Sequence, residues 1–343
     1  MNQNFDNTPG YATAVIKNGA VVFSDCRGLA NVSSGTPIST ATNFRLASLS
    51  KQFTAMAIMI LQKRGFLNYE DPISEFLTGF SDEVGRVTIR QLLTHTSGMP
   101  DHEKPLYQQF TLGQNAKMSD AMKTLKSKKR LLFPAGSKYR YSDAGYVVLA
   151  LVIETISGLT FRRLVNREIF SPLEMTDSDV LDETERKIRS QALGYRTKIY
   201  YPKCDRMTDN INPDSTSAFE LFDDDPLNFI VGDEGVYSSI NDMVKWDIAW
   251  NGEKLVSAST LIEAMTPTML LDGSPGKAGF SWLNGAYKGE KIVYQDGSWV
   301  GFRNILLKIP KKRMMVILLS NRTDLDTEEE RISTAFNVVR PFL

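Results

Sequence analysis

Patterns typical of β-strands occur at both ends of the chain, with a helical region between them, and this arrangement constrains the fold most. Residues 11–16 and 21–23 are β-rich and are joined through Lys17-Asn18-Gly19. Asn-Gly between two apolar runs indicates a hairpin, because both residues tolerate a positive φ. Strand patterns return near the C-terminus, at 292–294, 302–308 and 313–319. We therefore predict an α/β fold whose sheet is assembled from both ends of the chain.

The domain organisation follows from this pattern and from the length. A chain of 343 residues exceeds what one hydrophobic core usually supports, so two interleaved units are expected. We predict an α/β sheet domain made of residues 1–65 and 231–343, with a mostly α-helical domain inserted as residues 66–230. Ligand sites favour such junctions, so we expect the functional site between the two domains.

The most apolar helical segment, residues 48–64, begins at Ser48 and is closed by Gly65. Residues 55–61 are apolar around the whole helix, which predicts that this helix is buried. Residues 200–228 are polar and acidic and indicate a long loop. Further helices are predicted after caps at Thr88 and Asp143, the second with an apolar body at 146–156 ending at Gly158, and at 326–339.

A serine followed three residues later by a lysine occurs twice, and a helix would place both side chains on one face. The match of Ser274 and Lys277 contains a Pro-Gly pair that cannot continue a helix, so we interpret it as a solvated loop. Ser48 and Lys51 instead open the buried helix, where backbone N–H groups and the dipole surround the serine. Burial and the dipole are expected to lower the pKa of Lys51, favouring the neutral amine that a general base requires. On spacing alone, an N-cap serine followed by a surface lysine is an equal interpretation.

The composition gives other chemistries little support. Forty basic and forty acidic residues cancel, so no nucleic-acid partner is expected. A Ser-His-Asp triad needs a histidine, and we interpret His95 as structural and His102 as a surface residue. Two histidines nearly exclude an imidazole-based metal site, so no cofactor is expected. Cys26 and Cys204 allow at most one disulfide, and the sequence leaves their pairing open.

The sequence leaves the localisation and the oligomeric state open. The longest apolar run, 53–61, is about half of what a membrane-spanning helix needs, so no integral membrane segment is expected. Residues 1–7 are polar and lack a signal-peptide pattern. The protein is therefore expected to be cytoplasmic, or periplasmic or secreted if a leader was removed.

Five segments, in order along the chain, resemble motifs of the serine β-lactamase and penicillin-binding-protein superfamily, most closely its class C β-lactamase-related group of esterases and D-amino-acid peptidases. The resemblance runs from residue 9 to residue 320 and implies an antiparallel sheet flanked by helices, with an inserted helical domain. The segments are Phe44-Arg45-Leu46-Ala47-Ser48-Leu49-Ser50-Lys51-Gln52-Phe53-Thr54, Leu92-Leu93-Thr94-His95-Thr96-Ser97-Gly98-Met99-Pro100, Tyr141-Ser142-Asp143-Ala144-Gly145-Tyr146 with the preceding Phe133-Pro134-Ala135-Gly136, Gly232-Asp233-Glu234-Gly235-Val236-Tyr237-Ser238-Ser239, and Gln295-Asp296-Gly297-Ser298-Trp299-Val300-Gly301-Phe302.

The resemblance implies roles for the matching residues. Ser48 would be the acylated nucleophile, Lys51 its proton acceptor, and Tyr141 a general acid/base that bridges to the leaving group. A packed aromatic is the structural alternative for Tyr141. The backbone N–H groups of Ser48 and Ser298 would form the oxyanion hole, where each donor contributes about 3–4 kcal/mol to acyl transfer. The predicted substrate-binding residues are Asp143, Gln295, Gly297 and Trp299.

Two positions depart from the motifs that the resemblance implies. Asp143 stands where the superfamily usually has asparagine, and a carboxylate accepts hydrogen bonds without donating any. It could pair with Lys51 and raise the pKa of the amine, or it could only cap the helix. Gln295 replaces a lysine or histidine and so removes a cation that could steer a substrate carboxylate. Both changes point away from β-lactams and D-Ala-D-Ala termini, and towards a neutral ester or amide.

We therefore predict a metal-free serine hydrolase that cleaves a small-molecule ester, amide or peptide bond through a Ser48 acyl-enzyme. Within the same chemistry, a D-amino-acid peptidase or carboxypeptidase and a weak β-lactamase are the alternatives. From a different class, Asp143 and Gln295 favour a catalytically weak, penicillin-binding-like protein that binds peptides.

Overall fold

The secondary structure follows the predicted order of strands, helices and strands. A computed structural model describes residue 5 and residues 7–185, 187–198 and 218–343. The strands are β1 (Tyr11–Lys17), β2 (Ala20–Arg27), β3 (Leu29–Asn31), β4 (Thr36–Pro37), β5 (Phe44–Arg45), β6 (Asp179–Val180), β7 (Tyr195–Thr197), β8 (Phe219–Leu221), β9 (Val236–Ser238), β10 (Leu283–Tyr287), β11 (Glu290–Trp299), β12 (Phe302–Ile309) and β13 (Met314–Ser320). The helices are α1 (Lys51–Lys63), α2 (Asp82–Gly85), α3 (Ile89–Leu93), α4 (Glu103–Tyr107), α5 (Met118–Ser127), α6 (Asp143–Ser157), α7 (Phe161–Val165), α8 (Ser171–Leu173), α9 (Ile240–Asn251), α10 (Ala258–Met265) and α11 (Glu328–Val339).

Six strands form the main sheet in the order β10-β11-β12-β13-β1-β2, and every neighbouring pair is antiparallel. The first strand pairs with the last, with Tyr11 opposite Ser320 and Lys17 opposite Met314. The predicted hairpin joins β1 to β2, and Asn18 and Gly19 both have positive φ. These pairings confirm the α/β fold and a sheet built from both ends of the chain.

Helix α1 lies at the centre of the molecule, as its apolar sequence predicts. Its first eleven residues are all buried, and Phe53 stacks on Trp246 of α9 with ring centroids 4.2 Å apart. Phe170 contacts the Phe53 ring edge-on, with ring centroids 5.5 Å apart. Burying side chains of this size stabilises the fold by about 1.5–3 kcal/mol each, so the start of α1 is held firmly in place.

Several predicted boundaries were wrong by a few residues, for local reasons. Ser48 does not begin the α-helix but lies in a 3-10 turn, Ala47–Ser50, that leads into α1. The last helix begins at Glu328 because Thr327 caps it with a full capping box. The last strand begins after Arg313, whose φ of 51° ends the preceding turn.

The helices between β5 and β9 also follow their caps. Thr88 caps α3 as predicted, and Gly158 ends α6 with a φ of 66°. The cap of α6 is Ser142 and not Asp143, because the Ser142 hydroxyl accepts the N–H of Gly145. The prediction that Asp143 caps this helix was therefore wrong.

Two other expectations meet the described residues only in part. The predicted loop at 200–228 is wrong at β8, and residues 200–217 lie outside the described part of the chain. Cys204 lies there too, so its pairing with Cys26 stays open. No single described helix is long and apolar enough to cross a bilayer; α6 and the segment Phe161–Leu173 reach that length only together, and they are bent by 75°. The division into two domains stays a prediction.

Candidate active site

Ser48 lies on a tight turn that packs against the end of strand β11. Ala47, just before it, has a φ of 52°, which is strained for a residue with a side chain. A Cβ at Gly297 would lie 2.4 Å from the Leu46 carbonyl oxygen and 3.2 Å from the Ser48 amide nitrogen. Glycine is therefore required for β11 to approach the turn this closely. Gly297 supports the Ser48 turn, and Ser298 follows it at the same strand end.

Lys51, the first residue of α1, is fully buried and its Nζ has three acceptors. Nζ lies 2.7 Å from Asp143 Oδ1 and donates to Ser48 Oγ at 3.0 Å and to the Asp233 carbonyl oxygen at 3.0 Å. An ammonium group has three N–H donors, so this arrangement uses all of them. The spacing correctly brought Ser48 and Lys51 together, and the surface-lysine interpretation is wrong.

The charge of Lys51 differs from our expectation. Burial lowers the pKa of its amine, but Asp143, Tyr141 and Asp233 outweigh burial and raise the pKa well above its ordinary value. The predicted lowering was therefore wrong, because the helix start also gathers acidic groups from distant parts of the chain. Lys51 is an ammonium at neutral pH.

Asp143 is the main partner of that ammonium. Burial raises the pKa of its carboxyl, but Lys51 lowers it by charge and by hydrogen bonding, and the net pKa is below the ordinary value. Of the two open interpretations of Asp143, the structure shows the ion pair with Lys51. Since Ser142 caps α6, the Asp143 side chain is left to reach the lysine.

Tyr141 lies beside the same group, at the edge of a cavity. The Lys51 Nζ is 5.1 Å from the centroid of its ring, and Tyr141 lines the same cavity as Ser48. Burial raises the pKa of the Tyr141 hydroxyl; Lys51 lowers it and Asp143 raises it, and the net shift is upward. Tyr141 is therefore a phenol at neutral pH, able to donate a proton.

Both histidines are buried, and the structure agrees with the prediction for only one of them. His95 is buried, and its ring stacks on Tyr141 at 4.4 Å while its Nδ1 accepts the backbone N–H of Ser142. Burial, and next Lys51, lower its pKa to about 3, so His95 is neutral and structural, as predicted. His102 is also buried, at 1% exposure, and the prediction of a surface position was wrong.

A cavity of about 550 Å³ opens in front of Ser48, Tyr141 and Ser298. Trp299 lines it, with its indole N–H held by Asn228 Oδ1 at 3.0 Å. The charged lining among the described residues is mostly acidic and comprises Glu103, Asp143, Glu234, Asp296 and Glu328, against Lys277. Three of these carboxyl groups have buried basic partners, because Lys51 pairs with Asp143, Arg331 with Asp296 and Arg45 with Glu234.

Gln295 does not line this cavity, which corrects its expected contact with substrate. Successive residues of a strand face opposite sides, so Tyr294, Asp296 and Ser298 face the cavity and Gln295 faces away. Its side chain is 1% exposed, and its Nε2 donates to the Asp296 carbonyl oxygen. Gly297 shares that orientation and contacts the Ser48 turn.

Sequence reasoning missed Asp233 and Lys277. Asp233 follows Gly232. Gly232 has a φ of 103° and lies close to the Tyr146 carbonyl, and only glycine accommodates both. Burial raises the pKa of the Asp233 carboxyl to about 7, with Lys51 lowering it and Asp143 raising it. The Gly-rich stretch could have pointed to this turn. Lys277 lies at the cavity, whereas Ser274 is exposed and bonds Asp272.

The described residues contain no group of three or more His, Cys, Asp or Glu side chains placed to bind a metal ion. The polar groups that the site brings together are a hydroxyl, an ammonium, a phenol and several carboxyl groups.

The amino-acid sequence is similar to one family model and to several known proteins. The sequence model of the family described as Beta-lactamase matches residues 3–338. Penicillin-binding protein 4* of Bacillus subtilis (strain 168) is 30% identical over 320 residues, covering 92% of this chain. A D-aminopeptidase of Cereibacter sphaeroides is 26% identical over 320 residues, covering 93% of this chain. The chain spans 68% of the length of the first relative and 58% of the second.

Solved structures agree on the fold. The octameric penicillin-binding protein homologue from Pyrococcus abyssi superposes with a TM-score of 0.79 at 24% identity, over 97% of this chain and 73% of that one. The D-amino acid amidase from Ochrobactrum anthropi SV3 superposes with a TM-score of 0.75 at 19% identity, over 96% of this chain and 95% of that one. Both likenesses concern the fold alone.

Proposed function

The chain belongs to the β-lactamase family, and from this premise we propose that it is a serine hydrolase that forms an acyl-enzyme on Ser48. One observation carries the proposal. The Ser48 hydroxyl lies 3.0 Å from the Lys51 amine at the wall of a cavity, with Tyr141 beside both. A nucleophile, a proton acceptor and a proton donor are thereby held within reach of one bound substrate.

In the proposed acylation, Ser48 Oγ attacks the carbonyl carbon of the substrate and its proton passes to the neutral amine of Lys51. The carbonyl oxygen becomes an oxyanion, for which the N–H groups of Ser48 and Ser298 are the proposed donors. Tyr141 protonates the leaving group as its bond to carbon breaks and then regains a proton from solvent. The phenol form of Tyr141 supports this donor role.

The resting ammonium of Lys51 limits the rate of this step. Only the neutral amine accepts a proton, and the raised pKa of Lys51 makes that form rare at neutral pH. We therefore expect turnover to rise with pH across the neutral and alkaline range. A flat profile between pH 7 and pH 9 would contradict Lys51 as the base.

The cavity lining supports a neutral ester or amide as the substrate. A substrate carboxylate would approach the acidic lining and would find no cation at Gln295, which faces away. Like charges in a confined cavity repel, so β-lactams and peptides with a free carboxyl end should bind poorly.

The test compares the two serines that precede a lysine by three residues. Wild type should react with a fluorophosphonate and hydrolyse a short-chain chromogenic ester, and Ser48→Ala should lose labelling and at least about 10⁴-fold of turnover. Ser274→Ala is the matched control and should keep both, since Ser274 is exposed on a loop. Equal turnover by Ser48→Ala and wild type would refute the proposal.

Two alternative functions each have one observation in their favour. The acidic lining would attract the ammonium of an amine-bearing D-amino-acid amide, and relatives include a D-aminopeptidase. Faster cleavage of D-aminoacyl anilides than of neutral esters would support this alternative.

The ion pair of Lys51 with Asp143 favours instead a catalytically weak binding protein. An unreactive Ser48 together with saturable peptide binding would support that alternative.

A further inference from the structure

A second, much smaller cavity of about 10 Å³ adjoins the one that contains Ser48. The two cavities share wall residues, among them Glu234 and Trp299. The smaller one is lined in addition by His102 and Asp233, and we call it the His102 chamber. Its volume is about what one water molecule requires.

Two side chains of the His102 chamber are buried with an unpartnered polar atom. His102 is 1% exposed and Asp233 4%, and neither His102 Nδ1 nor Asp233 Oδ1 has a hydrogen-bond partner among the described residues. A buried polar atom without a partner costs about 1–3 kcal/mol, so native proteins rarely leave two such atoms at one place. A water molecule in the chamber would supply such an atom with a hydrogen-bond partner.

The chamber is also connected to the nucleophile. The backbone carbonyl of Asp233 accepts a hydrogen bond from Lys51 Nζ, which in turn bonds Ser48 Oγ. His102 and Asp143 are close enough for each charge to influence the other. Because the chamber shares wall residues with the cavity in front of Ser48, a water in the chamber would lie at the wall of the cavity that an acyl group on Ser48 would enter.

We propose that the His102 chamber holds the water that hydrolyses the Ser48 acyl-enzyme, and that His102 Nδ1 is the base that deprotonates it. The proposal rests on the acyl-enzyme of the proposed function. In the step, the water proton moves to His102 Nδ1 and the water oxygen bonds to the acyl carbon. The bond from that carbon to Ser48 Oγ breaks, and Oγ takes a proton from the Lys51 ammonium. His102 then returns its proton, by way of solvent, to the Lys51 amine.

The charge states suit this division of work. In the acyl-enzyme Lys51 carries the proton that it took from Ser48 and is paired with Asp143, so it can protonate the leaving Ser48 Oγ but cannot accept the water proton. Burial lowers the pKa of His102, with Asp143 and Asp101 opposing that change and Lys51 adding to it. The imidazole is therefore neutral at neutral pH, and its Nδ1 accepts a proton when Nε2 carries the ring hydrogen.

The experiment separates acylation from deacylation. With a p-nitrophenyl ester, His102→Gln should release a burst of p-nitrophenol and then turn over at least about tenfold more slowly than wild type, while the burst rate stays within about threefold. Intact mass should show an acyl adduct on Ser48 that wild type does not accumulate. Lys104→Gln, two residues from His102 and exposed, is the control and should show neither change.

A second variant excludes a merely structural role for His102. His102→Gly opens space for free imidazole, which should restore the steady-state rate without changing the burst rate. No adduct build-up in His102→Gln, or equal slowing of both phases with no imidazole rescue, would overturn the proposal. Failure of the acyl-enzyme itself is recognised separately, because fluorophosphonate would then leave wild-type Ser48 unlabelled.

Discussion

Among the described residues, two lysines are buried beside an aspartate, and the pKa values of these two lysines shift in opposite directions. Lys51 is 0% exposed beside Asp143, and Lys308 on β12 is 6% exposed, with Nζ 3.1 Å from Asp247 Oδ1 on α9. The pKa of Lys51 is raised, whereas burial lowers the pKa of Lys308 and Asp247 only partly offsets that.

The difference lies in the number of acidic groups around each amine. Lys51 has Asp143, Tyr141 and Asp233 around it, while Lys308 has Asp247 and the neutral amide of Asn251. Burial by itself would lower both pKa values. The comparison teaches that a buried lysine next to a serine is not thereby a neutral base, because its neighbours decide its charge.

Removing each amine should separate a catalytic pair from a structural one, and this is the largest expected effect. Lys51→Met should lower kcat/KM for a chromogenic ester by about 10²–10⁴-fold, because Ser48 loses its proton acceptor. Lys308→Met should leave kcat/KM within about threefold but lower the free energy of unfolding by about 3–5 kcal/mol, because Asp247 stays buried and unpaired. Urea unfolding and ester kinetics measure the two.

The double variant Lys308→Met with Asp247→Leu serves as the control. Replacing both charges by apolar groups is often close to neutral, so most of the lost stability should return. If Lys308→Met lost as much activity as Lys51→Met, the distinction between the pairs would fail.

The next largest effect is expected from neutralising the aspartate beside each lysine. Asp143→Asn removes the main charge that raises the pKa of Lys51, so the acid limb of the kcat/KM profile should move down by about 1–3 pH units. For each pH unit that the limb moves down, kcat/KM at a given pH on the limb should be about tenfold higher. Asp247→Asn should leave the profile in place. An acid limb unchanged in Asp143→Asn would show that Lys51 does not set it.

The smallest effect is on stability in alkali, where the two lysines should act with opposite sign. The raised pKa of Lys51 contributes stability that is fully present below the ordinary value of 10.5 and is lost as pH rises through the folded-state pKa. The lowered pKa of Lys308 is a penalty that disappears between its folded-state pKa and 10.5. Each slope is at most about 1.4 kcal/mol per pH unit.

Urea unfolding from about pH 8 to about pH 11 measures these slopes. Relative to Lys308→Met, wild type should gain stability as pH approaches 10.5, and relative to Lys51→Met it should lose stability above 10.5. Slopes of the same sign would contradict the assignment of opposite shifts.

The sequence predicted what short spacings determine. Ser48 and Lys51 are three residues apart at a helix start, so their contact follows from helix geometry. The hairpin at Asn18-Gly19 and the caps at Thr88 and Thr327 are equally local, although only the first two were recognised. The ordered motifs supplied the fold because they sample the chain from end to end.

What the sequence did not predict depends on distant partners. The charge of Lys51 depends on Asp143, whose pairing with Lys51 the motifs left open, and on Asp233, which lies far away along the chain and was not considered. His102 lies between two acidic residues, which suggested the surface, but the segment that carries Leu227 and Ile230 covers it. Gln295 was assigned to the cavity by motif position, whereas the strand alternation turns it away.

The pairing of β1 with β13 has a consequence for how the protein is made. Tyr11 bonds across to Ser320, so the first strand leaves the ribosome long before its partner exists. Until then β1 can pair with β2, and a lone hairpin is marginally stable in water. The Ser48 turn rests on β11, which is also synthesised late. A working site should therefore form only after residue 320 has been synthesised, and a chain stopped before residue 314 should never acquire one.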